Sequence, residues 1–332
     1  MDFAQLAALT GGHAEARAIQ TAVKLGLFDS LGHGPRDASE LATSLKVDRR
    51  AIAVLADAMT ALGLLVKTAG HYDLTDVSRR FLLKSSAEYL GGLILFDDAF
   101  FETWVHLEQT IRTGAPARTL DMFQNKPEET ARFIRAMDSL TRARGDAQFV
   151  AERLDLREIP IVADLGGGPG TYVAAMLRRW PHLRAAIFDL PATLDVARTI
   201  LAEREPDIAP RIDLIPLNYL KVELPSGCGA IFMSNIIHSE DEPTNVDLMR
   251  KCFRALNSGG IVIVKDHIMN EDLTEPKAGA IFSLYLLLAT RGRDYSFGEV
   301  SQWLSGAGFV DIRLETLPSP PFTSSMVIAR KP

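Results

Sequence analysis

The segment Asp164-Leu165-Gly166-Gly167-Gly168-Pro169-Gly170-Thr171 joins an apolar run to a helical pattern and sets glycines at 166, 168 and 170. Glycines in such a place let the backbone turn sharply and let a ligand approach without obstruction by Cβ. A glycine cluster alone is equally consistent with a tight structural turn, but two details point to a ligand. Thr171 stands where a nicotinamide fingerprint has its last glycine, and no Walker lysine follows. Asp189 closes the next apolar run, 19 positions after Gly170, where a carboxylate is able to accept from both hydroxyls of a ribose. Asp164 and Asp189 together suit a nucleoside that carries a positive group and no pyrophosphate. S-adenosylmethionine (SAM) is such a molecule, with an adenosine, a sulfonium and a methionine ammonium.

His238 follows the apolar run Ala230-Ile231-Phe232-Met233, close to where the methyl group of that ligand belongs. An imidazole titrates near neutrality and is able to take a proton from a phenol or enol during methyl transfer. The plainer alternative for a lone histidine is a structural or surface role.

The elements that must position these residues alternate. Ile161–Asp164, Ala185–Asp189, Ile212–Ile215, Ala230–Met233 and Ile261–Lys265 read as short buried strands. Helical patterns over 172–179, 192–203 and 245–256 separate most of them. This grammar predicts a parallel sheet covered on both faces, with ligands at the carboxyl ends of its strands. Phe309–Leu314 and Met326–Ala329 read as two more strands, and the connection through Pro318, Pro320 and Pro321 suits a terminal antiparallel hairpin.

Upstream, residues 85–150 read as helical and carry Phe100, Phe101, Trp104, Met122, Phe123, Phe133 and Met137. Such a stripe is either core or the wall of an apolar acceptor pocket. The spacing also predicts a helix over 14–30. Asp37-Ala38-Ser39-Glu40 is a capping-box pattern that opens a short helix. Asp48 caps another, through Ile52, Leu55, Met59 and Leu62, with Gly63 as its stop. Leu64–Val66 and Tyr72–Leu74 flank a turn at Ala69-Gly70, which predicts a hairpin. Two helices and a hairpin make a winged helix. The first 100 residues hold 10 Lys/Arg against 12 Asp/Glu, so positive charge for a DNA backbone is missing and a dimerisation scaffold is favoured.

Composition narrows the classes further. The 332 residues exceed what one core requires, and 47% hydrophobic with 23% charged residues is ordinary for a globular protein. A net charge of −6 offers no broad cationic field to nucleic acid or anionic lipid. Met1-Asp2-Phe3-Ala4 does not begin a signal peptide, and the apolar windows Leu90–Phe101 and Ile281–Ala289 are too short to span a bilayer. Cys228 and Cys252 form no CxxC, against a disulfide scaffold or a cysteine zinc site. The expectation is a soluble, cytoplasmic protein.

In combination, Asp-Leu-Gly-Gly-Gly-Pro-Gly (164–170), Phe-Asp-Leu-Pro (188–191), Phe-Met-Ser-Asn-Ile-Ile-His (232–238), Ser-Gly-Gly-Ile-Val-Ile-Val (258–264) and Gly-Ala-Gly-Phe (306–309) are specific. The chain resembles, over essentially its whole length, the class I SAM-dependent O-methyltransferases of the caffeate, hydroxyindole and hydroxyneurosporene type. The resemblance implies an α/β fold: a Rossmann-like seven-stranded methyltransferase sheet behind an N-terminal, mainly α winged-helix dimerisation domain. It implies a homodimer, with a domain over 1–100 and a methyltransferase domain over 101–332, made of bridging helices (101–150) and a Rossmann-like core (151–332).

By the same resemblance Gly166 and Gly168 lie against the methionine part of SAM, Asp189 holds the ribose and Leu190 packs on the adenine. Leu217-Asn218-Tyr219 matches the stretch that flanks the adenine, with Asn218 where Asp is usual, so the adenine amine meets a neutral amide oxygen. Ser234 stands where plant members commonly have Lys. His238 aligns with the general base, and Asp266 and Asp294 with the two carboxylates that bracket it, each one methylene shorter than the plant Glu. One of them would orient His238 by accepting its other N–H; the alternative for either is a surface charge. His267, beside Asp266 on a strand, should point to the opposite face. No metal is expected, because His238, Asp266 and Asp294 lack a ligand spacing.

Ser239-Glu240 replaces the Asp-Trp or similar pair that often follows the base, so the acceptor pocket differs. The expected activity is methyl transfer from SAM, leaving S-adenosylhomocysteine (SAH), to a hydroxyl of a small, largely apolar molecule. Transfer to sulfur or carbon, with His238 only positioning the acceptor, is the alternative. A SAM-sensing winged-helix regulator without catalysis is a remoter one. The expected partners are the acceptor and a second copy of the chain, with neither nucleic acid nor membrane.

Overall fold

A computed structural model describes residues 1–121, 123–317 and 324–332. Met122, Pro318, Pro320 and Pro321 lie outside the described residues. The chain divides into two compact units, Met1–Phe101 and Glu102–Pro332.

In the first unit the helix predicted over 14–30 is longer and interrupted. α1 (Phe3–Leu25) starts from a capping box on Asp2 and ends at Gly26, at φ +76°, before a single turn, α2 (Leu27–Ser30). α3 (Ala38–Leu45) opens on the Asp37 capping box and α4 (Arg49–Ala61) on Asp48. β1 (Leu65–Thr68) and β2 (His71–Leu74) pair antiparallel around Ala69 and Gly70, both at positive φ as a two-residue hairpin turn requires. Phe28, Leu41, Ile52, Met59, Leu65 and Tyr72 bury one core between the helices and the wing. α5 (Asp76–Phe81) follows, and α6 (Gly91–Trp104) contains the dividing point of the chain.

The second unit begins with α7 (Leu107–Thr113), α8 (Pro127–Arg144) and α9 (Asp146–Arg153), so the helical stretch read over 85–150 is broken between 114 and 126. Then come β3 (Ile161–Leu165), α10 (Thr171–Arg179), β4 (Arg184–Asp189), α11 (Pro191–Arg204), β5 (Ile212–Pro216), β6 (Cys228–Ser234), α12 (Glu242–Ala255) and β7 (Leu256–Asp266). β8 (Ile268–Met269) and β9 (Tyr295–Ser296) form a small parallel pair around α13 (Lys277–Ala289). α14 (Phe297–Ala307), β10 (Val310–Thr316) and β11 (Ser325–Arg330) complete the chain.

The seven-stranded sheet has the order β10-β11-β7-β6-β3-β4-β5. Its strands are parallel from β7 to β5, and β11 alone is reversed, antiparallel to both of its neighbours, β7 and β10. One face packs Val162, Ile187, Phe232 and Ile263 against Val173 and Leu177 of α10. The other packs Ala163, Phe188, Met233 and Val264 against Leu248 of α12 and Trp303 of α14. Burial on both faces explains why these strands read as continuous apolar runs. β3 pairs with β4 on one side and β6 on the other, which makes its carboxyl end the switch point where open α/β sheets bind ligands. Among the described residues no helix is long and apolar enough to cross a membrane.

Candidate active site

β3 delivers Asp164 and the glycine loop to that switch point. Gly166 sits at φ +66°, where other residues are strained, and a Cβ there would come within 2.3 Å of Ile236 Cδ1, so a larger residue must also push the Ile236 side chain aside. Gly168, at φ +52°, has open space where a Cβ would be, and its N–H donates to Asp189 Oδ2 at 2.9 Å. Asp189 Oδ1 accepts from the Leu190 N–H at 2.7 Å, so one carboxylate holds both the loop and the start of α11. Asp164 is buried and its Oδ2 has no hydrogen-bond partner. Burial, with the Asp189 charge nearby, pushes its carboxyl up to about 8. A buried orphan acceptor beneath an open glycine cradle fits a ligand that brings N–H donors or positive charge, as SAM does.

The stretch Leu217-Asn218-Tyr219 lies beside Asp189, whose backbone carbonyl accepts from the Leu217 N–H at 2.9 Å. Asn218 Oδ1 accepts from the Leu220 N–H at 3.0 Å, so the amide oxygen expected to meet the adenine amine also closes a local turn. The Tyr219 hydroxyl donates to Glu240 Oε1 at 3.1 Å. Ser234 ends β6 with its Oγ buried and unpartnered. Opposite it in register stands Lys265, fully buried, with Nζ 3.1 Å from Asp146 Oδ2 and 5.0 Å from the Tyr172 ring centre. The site therefore has a lysine one strand over from Ser234. At the start of α10, Thr171 Oγ1 donates to Asp138 Oδ1 of α8 at 2.8 Å.

His238 is set by a turn. Asn235, at φ +58°, takes the chain off β6 while its N–H donates to the Lys265 carbonyl at 2.8 Å. A single 3-10 turn, Ile237–Ser239, then carries the imidazole inward until it is 7% exposed. Its Nδ1 lies 2.6 Å from Oδ1 of Asp266, the last residue of β7. Asp294, just before β9, is farther: its Oδ1 is 3.9 Å from the same nitrogen. Both carboxylates are buried, at 1% and 2% exposure, and neither is a surface charge. Burial alone would push the imidazole down; the Asp266 and Asp294 charges outweigh it and hold His238 above its ordinary value.

These three residues show no ligand spacing in sequence, yet their donor atoms all lie within 4.8 Å of one another. The 2.6 Å contact commits Nδ1 to Asp266, so the arrangement is a hydrogen-bonded dyad beside a second carboxylate. The expectation for His267 fails. β7 ends at Asp266, the strand alternation no longer applies, and His267 turns toward the site instead of away from it. Its Nδ1 is 3.5 Å from Asp294 Oδ2, and its ring centre is 6.5 Å from that of His238.

The aromatic stripe splits. Phe100 is buried in the first unit, where Phe101 lies under the Arg17 guanidinium. In the second unit Phe123 stacks on Phe133 at 4.5 Å, and Trp104 approaches Tyr285 at 6.5 Å. Tyr285 stacks on Phe282, whose ring stands nearly perpendicular to those of both His238 and His267, with centroids 5.2 and 5.1 Å away. Sequence reasoning missed this wall because the 281–289 run was weighed only as a membrane span. It also missed Glu240 as a strut. Besides Tyr219, Glu240 receives the Tyr295 hydroxyl on its backbone carbonyl at 2.6 Å, which ties the stretch 217–219 and the start of β9 to the turn that carries His238.

A parallel sheet with a glycine cradle at its switch point, an acid ending the next strand and a buried His–Asp pair beside them defines a SAM-dependent methyltransferase. The chain belongs to the O-methyltransferase family: the O-methyltransferase domain matches residues 104–310, and the O-methyltransferase dimerisation domain matches residues 7–84. It is similar to 3-hydroxy-5-methyl-1-naphthoate 3-O-methyltransferase of Streptomyces sahachiroi, 31% identical over 320 residues that cover 94% of this chain and 91% of the relative. The tetracenomycin polyketide synthesis 8-O-methyl transferase TcmO of Streptomyces glaucescens is 30% identical over 337 residues, 96% of this chain and 93% of that one. The solved structure of PigF with SAH superimposes with a TM-score of 0.89 at 26% identity and covers 100% of both chains. Human N-acetylserotonin methyltransferase in complex with SAM shares the fold, with a TM-score of 0.88 at 22% identity over 100% of this chain and 98% of that one. The activity of this chain is SAM-dependent O-methyl transfer to a small molecule.

Proposed function

We propose that the acceptor is a hydroxyl on a small, largely apolar aromatic molecule and that His238 is the general base. The observation that carries this reading is the 2.6 Å contact between His238 Nδ1 and Asp266 Oδ1 in a buried setting. It leaves Nε2 as the nitrogen that faces the acceptor. The imidazole accepts the hydroxyl proton there, and the resulting positive charge stands beside an aspartate already in place. The edges and faces of Phe282, Tyr285 and Trp104 favour an aromatic ring. The names of two relatives, a hydroxynaphthoate and a tetracenomycin enzyme, point the same way.

SAM, when bound, supplies a methyl group on a sulfonium. Asp164, Gly166 and Gly168 would take its methionine end, Asp189 its ribose, and Leu190, Asn218 and Tyr219 its adenine, with Ser234 at the rim. The chain's own contribution is to align the hydroxyl, remove its proton and keep water out. We assign residues 1–100 to dimerisation and 101–332 to catalysis. A homodimer is supported by the dimerisation-domain match and by Phe3, Leu6 and Leu9, which α1 leaves exposed.

The test is incubation with methyl-labelled SAM and a panel of hydroxynaphthoates and polycyclic phenols, with mass spectrometry locating the label. Label on oxygen is expected; label on sulfur, nitrogen or carbon overturns the hydroxyl reading. His238→Ala should lower turnover by about 10²–10⁴ while calorimetry still shows SAM binding. Full activity in that variant removes the role of base.

A further inference from the structure

Asp294 lies beside the base, and its two oxygens are treated differently. Oδ2 lies 3.5 Å from His267 Nδ1, within ion-pair distance, and accepts from Ser283 Oγ at 3.4 Å, and Ser283 Oγ in turn accepts from the Asp294 N–H at 3.1 Å. Oδ1 is the oxygen 3.9 Å from His238 Nδ1, and it has no hydrogen-bond partner although it is buried. His238 does not satisfy it, because its Nδ1 is committed to Asp266 at 2.6 Å.

A carboxylate in such a position takes up a proton unless a cation faces it. Burial, and the ionised Asp266 nearby, push Asp294 toward the neutral acid, while His267 pulls it back toward the anion. The other groups around the base are Asp266 and Lys265 from β7 and Glu240 from the turn after His238. α13 contributes Ser283 and the ring of Phe282. His267 is the side chain placed to hold Asp294 as an anion.

We propose that His267 is a positioning residue for methyl transfer: it keeps the Asp294 carboxylate ionised, with the free oxygen turned to His238, so that a second negative charge is in place when the base becomes an imidazolium. No proton passes through His267; the acceptor's proton stays on Nε2 of His238. The proposal rests on the reading of His238 as base. Its value to the reaction is preorganisation, since both carboxylates are fixed before the positive charge forms.

The experiment is an NMR pH titration of the histidine rings in the purified, SAH-bound full chain. His267→Gln keeps a polar side chain but removes the proton-carrying group. The His238 midpoint should fall by about one pH unit, because Asp294 becomes neutral. Asp294→Asn should lower it similarly, and the double variant should lower it no further. An unchanged midpoint, a raised midpoint or additive falls each overturn the proposal. His267→Asn removes the same ring with a shorter polar side chain, so the idea stays testable if His267→Gln does not fold, and an unchanged His238 midpoint in that variant also overturns it. The His238→Ala activity assay decides the base role separately, so failure of one reading is distinguishable from failure of the other.

Discussion

Asp266 Oδ1 lies 2.6 Å from His238 Nδ1 because two neighbouring strands end together. Ser234 at the end of β6 is in register with Lys265 of β7, one residue before Asp266. The turn that follows Ser234 brings His238 back over that strand end. The pairing shifts both groups. The imidazole is held above its ordinary 6.5 despite burial, which works against it. Burial pushes the Asp266 carboxyl up, and the His238 charge more than reverses this, leaving it below its ordinary 3.8.

Asp266→Asn should therefore lower turnover about 10²–10⁴-fold, with SAM affinity unchanged. A base works when neutral, so the rate of the unaltered enzyme should rise with pH through the raised value of His238. In the variant that limb should move to lower pH. The stability signs are opposite for the two partners. The share from His238 is complete below its unfolded value and is lost as pH rises through the folded one. The share from Asp266 is present above its unfolded value and is lost as pH falls through the folded one. A pH–rate profile that does not move in Asp266→Asn sinks the assignment of Asp266 as the orienting acid.

Asp189 is predicted to hold the ribose while it also organises the loop through the Gly168 and Leu190 N–H groups. Asp189→Asn keeps an acceptor but removes the charge, and SAM affinity should fall about tenfold. Asp189→Ala also releases Gly168 and should cost about 10²-fold. Calorimetry on the two variants gives the order; equal affinity in all three proteins removes Asp189 from the cofactor site.

The parts of the site that were legible in sequence share a physical reason. Gly166, Gly168 and Asp189 belong to one strand–loop–helix–strand unit, so their spacing alone brings them together. Buried parallel strands are unbroken apolar runs, and β3, β4, β6 and β7 are readable for that reason, whereas the edge strand β5 is only partly buried and is interrupted by Asp213. His267 was misread because the period-two rule was carried one residue past the end of β7. The dominance of Asp266 over Asp294 was not readable, because 28 and 56 positions separate them from His238 and only packing sets the 2.6 and 3.9 Å distances. The start of α1 was missed because its first residues are largely exposed and carry little of the apolar spacing that marks a packed helix.

Asp164 should trade stability for binding. Its carboxyl is pushed from 3.8 to about 8, so the folded chain binds a proton there that the unfolded chain releases. With a folded value above the unfolded one, its favourable share is complete at low pH and is lost as pH rises from about 4 to about 8. Asp164→Asn removes this dependence. The ligand-free variant should melt higher than the unaltered protein at pH 8 and about equally at pH 4, and it should bind SAM more weakly. A melting difference that is the same at both pH values contradicts the burial of an ionisable group at this position.

Gly292 tests whether the placement of the turn matters as much as the chemistry of the base. It follows α13 and packs against the turn itself: a Cβ at 292 would come within 2.2 Å of the His238 carbonyl oxygen and 2.6 Å of the Glu240 carbonyl oxygen. Those atoms are backbone, so no side chain is able to swing aside. The Tyr295 hydroxyl, at 2.6 Å from the same Glu240 oxygen, resists the shift from another direction. Gly292→Ala must then push His238 relative to Asp266, or push α13 and its aromatic wall away. Either movement separates groups whose value lies in alignment, and a displacement near 1 Å costs about 10²-fold in rate. The glycine loop at 166–170 does not touch this contact, but Glu240 also holds the Tyr219 hydroxyl, so SAM affinity should fall by no more than about tenfold, the worth of one hydrogen bond and less than the loss in rate. Calorimetry and a turnover assay on the same preparation separate the two effects. Near-normal turnover in Gly292→Ala would show that the turn tolerates displacement and that His238 need not sit where the structure holds it.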